Sequence, residues 1–422
     1  MEKILFVTAI CCMCMIYACN SSKEVSKSKN LKKYNQAYLY AESPTIPNIH
    51  LKIHHTSKDS ADIYLGFPVD KLQLDSLQNA HLKVTYELYK DLNAKNILYS
   101  LIANFEVKKS QQLSTFATLK NRIAVADGQD YLLKIIVSDA VAFKNYYLEE
   151  VVRKGSTFNE QSFLATNAYN KQVLFDNYSQ QNSRIRVQYR NEPLTTLQVK
   201  YHPPFRELAL PTFKTERKRP YIYAMDSTFT TDGSFTLSKI GTYSVQVKEA
   251  EGVGLILVGV DNRFPKLADA KDLVEALRYI TRSEEFEKMI RADDSRAAVD
   301  SFWLDRAGSF DRGKVLVKEF YGRVQRANDF FTTYKEGWKT DRGVVLVIYG
   351  EPDVVYKESQ SEQWIYESTS SQDRISFTFE DMPHAFARTE PQLVRSSYYE
   401  DSWHRAVYEW RKGLIGKTSK SK

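Results

Sequence analysis

The chain has 422 residues, a length that predicts two or three domains. Its hydrophobic content of 43% suffices for folded cores, and its aromatic content of 13%, led by 27 tyrosines and 22 phenylalanines, favours β structure. The net charge of +7 is spread among acidic residues without a concentrated basic region, which argues against a nucleic-acid-binding protein.

The N-terminus carries the signals of a lipoprotein. After a charged start, residues 4–16 form an apolar run that is too short for a permanent membrane helix but typical of a secretory signal. The run leads to Ala18 and Cys19, which polar residues follow. We predict that residues 1–18 are a lipoprotein signal peptide and that Cys19 carries the lipid that anchors the chain to a membrane. An ordinary signal peptide with incidental cysteines is the alternative.

The composition of the chain after residue 19 limits the kinds of binding or catalytic site that it can form. All four cysteines lie between residues 11 and 19, so disulfides and cysteine metal sites are not expected beyond them. The seven histidines are scattered, with His54 and His55 as the one adjacent pair. Residues 252–254 are glycine-rich, but no Walker motif or helix pattern follows them. The sequence therefore predicts no metal and no cofactor.

A tether and a first β module follow the signal. Residues 19–45 are rich in Ser, Lys and Asn, have no periodicity over most of their length and are predicted to be a flexible tether. In residues 46–155, apolar and polar side chains alternate at 49–54 and 82–89, as in strands with one buried face. Other strands are predicted at 63–67, 97–107, 131–137 and 146–152. About seven strands predict an Ig-like β-sandwich, with the histidines of the first pattern facing solvent.

Residues 156–262 predict a second, smaller β-sandwich. Residues 184–190 alternate apolar side chains with arginines on one face: Arg184, Arg186 and Arg190. A solvated face is the simplest interpretation, and a contact for anionic lipid or a partner is the alternative. Residues 231–233, Thr-Asp-Gly, predict a hairpin turn, and residues 252–260 predict a last buried strand.

Residues 263–415 predict an α+β module. Helical spacing appears near 273–280, 283–290 and 316–331, and a helix with Trp403 and Trp410 closes the module. The apolar run at 344–349 predicts a strand buried on both faces. Further strands are predicted at 354–356, 363–366 and 375–379. Residues 416–422 form a basic tail.

Two turns flank the run at 344–349, and they resemble the signature of the GWxTD-domain proteins. The signature residues are Gly337, Trp338, Thr340, Asp341, Arg342, Gly343, Tyr349, Gly350, Pro352 and Asp353. Residues 319–331, 364–366 and 377–379 also fit, so the similarity covers about residues 265–415. The resemblance implies a bacterial envelope protein, often a predicted lipoprotein, and implies location and fold more firmly than activity.

The motif has a structural and a catalytic interpretation. Structurally, Trp338 fills a gap between helix and sheet, Thr340 and Asp341 bond backbone N–H groups, and Arg342 pairs with a carboxylate. Catalytically, carboxylates could converge for acid–base or glycosidase chemistry. The candidates are Asp341, Glu351, Asp353, Glu380 and Asp381. The structural or partner-binding interpretation explains the residues more economically.

The sequence thus predicts two tandem β-sandwich modules followed by an α+β GWxTD module. We expect a protein that is anchored at the outer membrane through Cys19, in either leaflet, and that serves as a non-catalytic subunit binding protein partners. The resemblance makes β-barrel assembly or outer-membrane secretion machinery plausible hosts. The alternatives are a carboxylate-dependent hydrolase and a glycan-binding surface lipoprotein.

Overall fold

The computed structural model describes residues 35–41, 49–90, 96–108, 116–156, 158–192, 195–215, 224–248, 254–267, 269–358, 360–367, 374–384, 386 and 390–415. Cys19, the signal peptide, most of the tether and the basic tail lie outside the described residues. Two β-sandwich modules precede an α+β module, so the predicted fold class is confirmed. No helix within the described ranges is long and apolar enough to cross a membrane.

The first module packs a three-stranded sheet, in the order β1-β2-β5, on a four-stranded sheet, in the order β4-β3-β6-β7. All pairings are antiparallel. The strands are β1 His50–His55, β2 Ser60–Pro68, β3 Asn79–Tyr89, β4 Ile97–Lys108, β5 Phe116–Ala124, β6 Tyr131–Asp139 and β7 Lys144–Val152. The sequence predicted six of these strands individually and missed the position of β5, whose apolar residues are interrupted by Lys120 and Arg122.

The prediction that the histidines of the 49–54 pattern face solvent is wrong for His54, which is buried, and the next residue, His55, is buried as well. One face of β1 covers the core of the first module, and the strand also packs against the second module. There His55 Nε2 lies 3.1 Å from Gln161 Oε1. Burial lowers the pKa of His54 to about 4 and that of His55 to about 3. Alternation along one strand does not reveal that a neighbouring module covers its outer face.

The second module also contains two sheets, in the orders β13-β10-β8 and β12-β11-β14-β15-β9. Their inner faces form a separate core. The strands are β8 Phe163–Asn167, β9 Tyr178–Gln180, β10 Arg184–Tyr189, β11 Leu197–His202, β12 Ser227–Thr231, β13 Ser234–Thr236, β14 Gly241–Val247 and β15 Leu255–Val260. Strand β15 is buried throughout, as the sequence predicts.

Two local predictions fail in this module. Residues 231–233 do not form a hairpin, because β12 pairs with β11 whereas β13 pairs with β10 in the other sheet. Gly233, with φ +116°, instead turns the chain from one sheet to the other. Arg190 does not share a face with Arg184 and Arg186. The chain turns at Arg190, with φ +43°, and its side chain is buried beside Asp127, 3.3 Å away.

The described part of the third module packs six α-helices and three 3-10 turns, Leu277–Tyr279, Gly337–Lys339 and Ser397–Tyr399, around one antiparallel sheet in the order β16-β17-β18-β19. The helices are α1 Ala270–Ala276, α2 Ser283–Ile290, α3 Ser295–Ala307, α4 Phe310–Phe331, α5 Asp341–Tyr349 and α6 Glu400–Arg411. The strands are β16 Val354–Glu358, β17 Ser361–Tyr366, β18 Ile375–Met382 and β19 Glu390–Leu393. The sequence analysis did not identify α3 and β19.

The predicted buried strand at 344–349 is wrong, because this run belongs to helix α5. The helix packs against α4 and β19, and every side chain from Val344 to Ile348 is buried. A helix that is covered all round has no polar face, so its sequence lacks the 3.6-residue alternation of an amphipathic helix. A short apolar run of β-branched residues is therefore ambiguous between strand and helix.

Residues 35–41, which we call the clasp, join the third module to the first. Asn35 Oδ1 accepts a hydrogen bond from Val355 N (3.0 Å), and Gln36 N donates to Val355 O (2.8 Å), so the clasp covers the outer edge of β16. The Tyr38 hydroxyl accepts from Tyr147 N (2.7 Å) and donates to Tyr147 O, at the edge of β7. Two sheet edges in different modules are thereby closed by one short segment.

Buried polar contacts also join neighbouring modules. Between the first and second modules, Lys154 and Arg190 both bond the Asp127 carboxylate, at 3.0 and 3.3 Å. Between the second and third, Thr242 Oγ1 donates to Tyr334 O at 2.6 Å, and Ala209 N donates to Lys339 O at 3.1 Å. These contacts hold the modules in fixed positions around the GWxTD-like motif.

Candidate functional site

The motif begins with a turn that starts helix α5. Thr340 is the N-cap residue: its Oγ1 accepts from Gly343 N (3.1 Å) and donates to Gly337 O (2.7 Å). A threonine at this position satisfies one of the free N–H groups of the first helical turn. Thr340 bonds a backbone N–H group of the turn, as the sequence predicts.

The glycines of the motif allow three backbone segments to approach one another. A Cβ atom on Gly337 would lie 1.8 Å from Ala327 O of helix α4, and one on Gly343 would lie 2.0 Å from Gly337 O. Neither contact is possible for a side chain, so both positions require glycine. The close approach seats the 3-10 turn between α4 and α5.

Trp338 is fully buried in the core of the third module. Its indole Nε1 donates to Glu336 Oε2 at 2.5 Å, and its backbone N donates to Asn328 Oδ1 at 3.3 Å. The ring meets Tyr279 edge to face, with centroids 6.2 Å apart. Asn328 in turn donates to Pro265 O at 2.8 Å, so the turn, α4 and the entry to the module are connected.

Asp341 bonds to the far edge of the sheet rather than to the turn. Its Oδ1 and Oδ2 accept from Arg395 at 2.6 and 2.8 Å in a bidentate ion pair, and Oδ2 also accepts from Leu393 N at 2.9 Å. The Leu393 N–H points away from β18, because the next residue, Val394, donates to Thr378 O of β18. Asp341 therefore closes the free edge of β19.

Residues 241–412 match the family model of the GWxTD domain. The chain is a GWxTD domain-containing protein. The matched region begins in strand β14 of the second module and ends just after helix α6, so it includes all of the motif described above. No significant match is found among curated proteins.

Two similar solved structures cover only parts of the chain. One is Bacteroides uniformis β-glucuronidase 2 bound to cyclophellitol-6-carboxylate aziridine, with 12% identity and a TM-score of 0.16; the match covers 26% of this chain and 15% of that chain. The other is Salmonella α-2-macroglobulin reacted with methylamine, with 12% identity and a TM-score of 0.19, over 52% of this chain and 17% of that chain. The GWxTD protein thus spans less than one fifth of either chain.

Arg342 pairs with a carboxylate, as the sequence predicts. Its NH1 lies 3.2 Å from Glu362 Oε2, and the guanidinium covers the Phe331 ring at 4.7 Å. Glu362 also accepts from Trp364 Nε1 at 2.6 Å. Burial alone would raise the pKa of Glu362, but the charge of Arg342 and the hydrogen bonds of Tyr40 and Trp364 lower it. Glu362 is thus held ionised beside Arg342.

The second half of the motif ends helix α5 and turns the chain into β16. Gly350, with φ +89°, follows the helix, and Arg323 lies against it while bonding the carbonyls of Val347 and Ile348 at 3.4 and 3.3 Å. Tyr349 contacts Ser402 at 3.1 Å through its hydroxyl. The turn continues through the buried Pro352, and Asp353 Oδ2 then accepts from Glu367 N at 2.7 Å.

The candidate catalytic carboxylates bond to different partners. Asp341 is held by Arg395, Asp353 by the N–H of Glu367, and Glu351 lies 3.5 Å from Arg326. Glu380 is exposed on β18, and Asp381 lines a neighbouring cleft. Within the described ranges, no group of three or more His, Cys, Asp or Glu side chains is arranged to hold a metal ion.

A polar cleft of about 270 Å³ lies between the first module and the GWxTD sheet. The β6–β7 face of the first module and strands β16 to β19 form its walls, and Arg342 belongs to its lining. Its basic side chains are Arg153, Arg342 and Lys357, and its acidic side chains are Glu149, Glu150, Glu358, Glu362 and Asp381. Several are paired already, such as Arg153 with Glu150 at 3.3 Å. The excess of carboxylates suits a cationic or hydrogen-bond-donating group.

Sequence reasoning missed the partners of the motif. Arg395 lies 54 positions after Asp341, and nothing in the local pattern connects the two. The contacts of Tyr38 and Tyr40 were missed because both residues lie within residues 19–45, which the sequence analysis predicted to be a flexible tether, whereas residues 35–41 pack on the modules. One signal was available: Thr340 and Gly350 flank the apolar run at the positions of a helix N-cap and a helix stop.

Proposed function

We propose that this GWxTD domain-containing protein is a lipid-anchored envelope protein that acts as a non-catalytic interaction subunit of an outer-membrane protein complex. β-barrel assembly or outer-membrane secretion machinery are possible hosts. The lipid anchor is inferred from the apolar run at 4–16 and from Cys19.

The observation that carries the non-catalytic part is the position of Asp341. Its side chain is only 8% exposed, and both oxygens bond Arg395. A catalytic carboxylate must reach its substrate. Because both carboxylate oxygens of Asp341 are already bonded to Arg395, a hydrolase that uses Asp341 with Asp353 is the weaker candidate. The motif instead supports the geometry of the third module.

The arrangement of the modules suits a scaffold. The clasp, the Asp127 cluster and the contact between Thr242 and Tyr334 fix three modules relative to one another. A rigid chain of this kind presents the outer surfaces of its modules at constant positions relative to one another. The modules are already ordered relative to one another before a partner binds. Binding to such a preorganised surface therefore loses less conformational entropy.

The test is purification of the tagged full-length chain from detergent-solubilised membranes. We expect outer-membrane proteins to co-purify in a constant ratio. They should be lost when a harsher detergent dissociates the complex. Isolation of the protein without any stoichiometric partner would overturn the proposal. Hydrolysis of envelope glycans by the pure protein, or their retention on it, would favour the rival functions instead.

A further inference from the structure

Strand β4 forms one edge of the four-stranded sheet of the first module, and no described strand pairs with its outer side. It is twelve residues long, and residues 97–105 contain no charged residue, no proline and no glycine. Natural proteins usually protect such an edge with charges, bulges, proline or a covering segment, because an open neutral edge recruits another strand.

Other edges of the same protein are protected. The clasp covers β7 and β16, and Asp341 bonds the edge N–H of Leu393 on β19. Strand β5, the edge of the facing sheet, carries Lys120 and Arg122. The register of β4 shifts at Leu98, but from Tyr99 to Phe105 the strand has no charge and no proline, and no described strand covers its outer side.

The side chains of β4 are incompletely covered on both faces. On the outer face, Ile102 is 55% exposed, and Leu98 is exposed as well. On the inner face, the side chains of Tyr99, Leu101 and Phe105 are only half-buried, because the facing sheet has one strand fewer. One additional strand beside β4 would extend the sheet and cover both rows.

The backbone determines which residues of β4 face the open edge. Ala140 N donates to His81 O, so the odd-numbered residues of β3 bond β6 and the even-numbered residues bond β4. Their partners on β4 are Leu101, Ala103 and Phe105. The N–H and C=O groups of Ser100, Ile102 and Asn104 therefore point to the open side.

We propose that this edge pairs with β4 of a second copy of the chain, antiparallel, around a two-fold axis at Ile102. Directly opposite residues of an antiparallel pair share a face and a hydrogen-bonding direction. A symmetric pair that uses the open groups must therefore place even-numbered residues opposite even-numbered residues, which allows the two-fold axis to lie at any residue of the strand. Centring on Ile102 covers the regular, neutral stretch from Tyr99 to Phe105, whereas centring on Leu101 or Ala103 pairs one end of it with Leu98, where the register shifts, or with Glu106.

The side chains are self-complementary in this register. Tyr99 lies opposite Phe105, the large Leu101 opposite the small Ala103, and Ser100 opposite Asn104. These pairings combine an aromatic pair, a volume match and a polar pair, each of which stabilises neighbouring strands. The inference does not depend on the proposed membrane complex, since it concerns two copies of the same chain.

Charge also favours a second copy. The stretch from Tyr99 to Phe105 contains no charged residue, so no like charges meet across the pair in this register. On the neighbouring strand, Lys83 lies beside Asn104 and Glu87 lies beside Ser100. In the dimer, the two rows that pair Asn104 with Ser100 therefore each contain Lys83 of one copy and Glu87 of the other. Opposite charges in one row avoid like-charge repulsion.

Disulfide trapping of the full-length chain tests the register. The cysteines all lie at or before residue 19, so Ile102→Cys introduces a single thiol in the described body. At the two-fold axis, the two Cα atoms would be about 5.5 Å apart, within the usual range for a disulfide. We expect an oxidation-dependent adduct of twice the chain mass. Ser100→Cys alone should give none, whereas Ser100→Cys with Asn104→Cys should restore it.

The native mass of the detergent-solubilised protein provides a second test. Ile102→Lys places a charge at an exposed position, so the chain should still fold but should change from dimer to monomer. Phe143→Lys, at a side chain that is 92% exposed away from β4, should remain dimeric. A wild-type monomer, a dimer that persists in Ile102→Lys, or an Ile102→Cys adduct with a different protein would each overturn the proposal.

Discussion

Asp341 and Arg395 form a bidentate ion pair that fastens the first turn of a buried helix to the outer edge of a sheet. The same carboxylate accepts the N–H of Leu393, so three elements meet at one side chain. Arg395 also donates to Leu210 O at 3.3 Å and thereby reaches the second module. The acid of the GWxTD motif thus has a structural task that accounts for both of its oxygens.

We expect Asp341→Asn to destabilise the protein by about 3 to 5 kcal/mol, because it leaves the Arg395 side chain, which is only 14% exposed, without its charge partner. Chemical denaturation of wild type and variant measures the change. Asp232→Asn, at an exposed position of the turn between β12 and β13, serves as the control and should change stability by less than about 0.5 kcal/mol.

A double-mutant cycle separates this role from a catalytic one. If the pair is structural, the double variant Asp341→Asn with Arg395→Met should lose less stability than the sum of the losses of the two single variants. The reason is that both changes remove the same interaction. Additive losses, or an Asp341→Asn variant with an unchanged denaturation midpoint, would contradict the structural role.

Trp338→Ala removes a fully buried side chain and should cost about 3 to 5 kcal/mol through lost burial and the remaining cavity. Trp338→Phe keeps most of the apolar volume and should cost less. Denaturant midpoints of the three proteins give the ranking. Equal midpoints for wild type and Trp338→Ala would show that the Trp338 site is not part of a packed core.

Both sandwiches were predictable because apolar and polar side chains alternate along their strands with a period of two, and this pattern is visible in the local sequence. Helix α5 was not predictable, because it is buried on every side. Its sequence therefore lacks the 3.6-residue alternation of apolar and polar side chains. The clasp and the Asp341–Arg395 pair were also out of reach. Each joins residues that are distant in the sequence, and no local pattern encodes which distant residue will be the partner.

The buried His54 and the half-buried Asp329 should give opposite dependences of stability on pH. Burial lowers the pKa of His54 to about 4, whereas burial, aided by Asp176, raises the pKa of Asp329 to about 7. Below pH 6.5, the unfolded state binds the His54 proton before the native state does, so this contribution falls as pH decreases from 6.5 to 4. For Asp329, the native state binds the proton first, so its contribution falls as pH rises from 3.8 to 7.

Two variants separate these contributions. His54→Gln should make stability rise less steeply with pH between 4 and 6.5, and Asp329→Asn should make it rise more steeply. The slope of the free energy of unfolding against pH, from urea titrations at several pH values, is the measurement. Slopes that shift in the same direction for both variants would contradict the assignment of the two pKa changes.

The clasp makes a further prediction about Tyr40, whose ring lies 5.1 Å from Trp364 and 5.3 Å from Phe331. Tyr40→Ala should destabilise the protein by about 3 kcal/mol and should expose the edge of β16. Limited proteolysis would then cut in or near residues 35–41 faster than in wild type. The exposed Tyr398→Ala provides an aromatic control, and unchanged proteolysis in Tyr40→Ala would argue against a stabilising clasp.

The lipid anchor predicts the behaviour of Cys19, which follows the apolar run at residues 4–16. A thioether-linked lipid buries many CH₂ groups at about 0.8 kcal/mol each, so a chain modified at Cys19 should stay with membranes through a high-salt wash. Cys19→Ala should move the protein to the soluble fraction and abolish metabolic labelling with a palmitate analogue. Cys14→Ala is the matched control, because Cys14 lies within the predicted signal peptide, and it should change neither property. A Cys19→Ala protein that remains membrane-bound and is still labelled would refute the anchor.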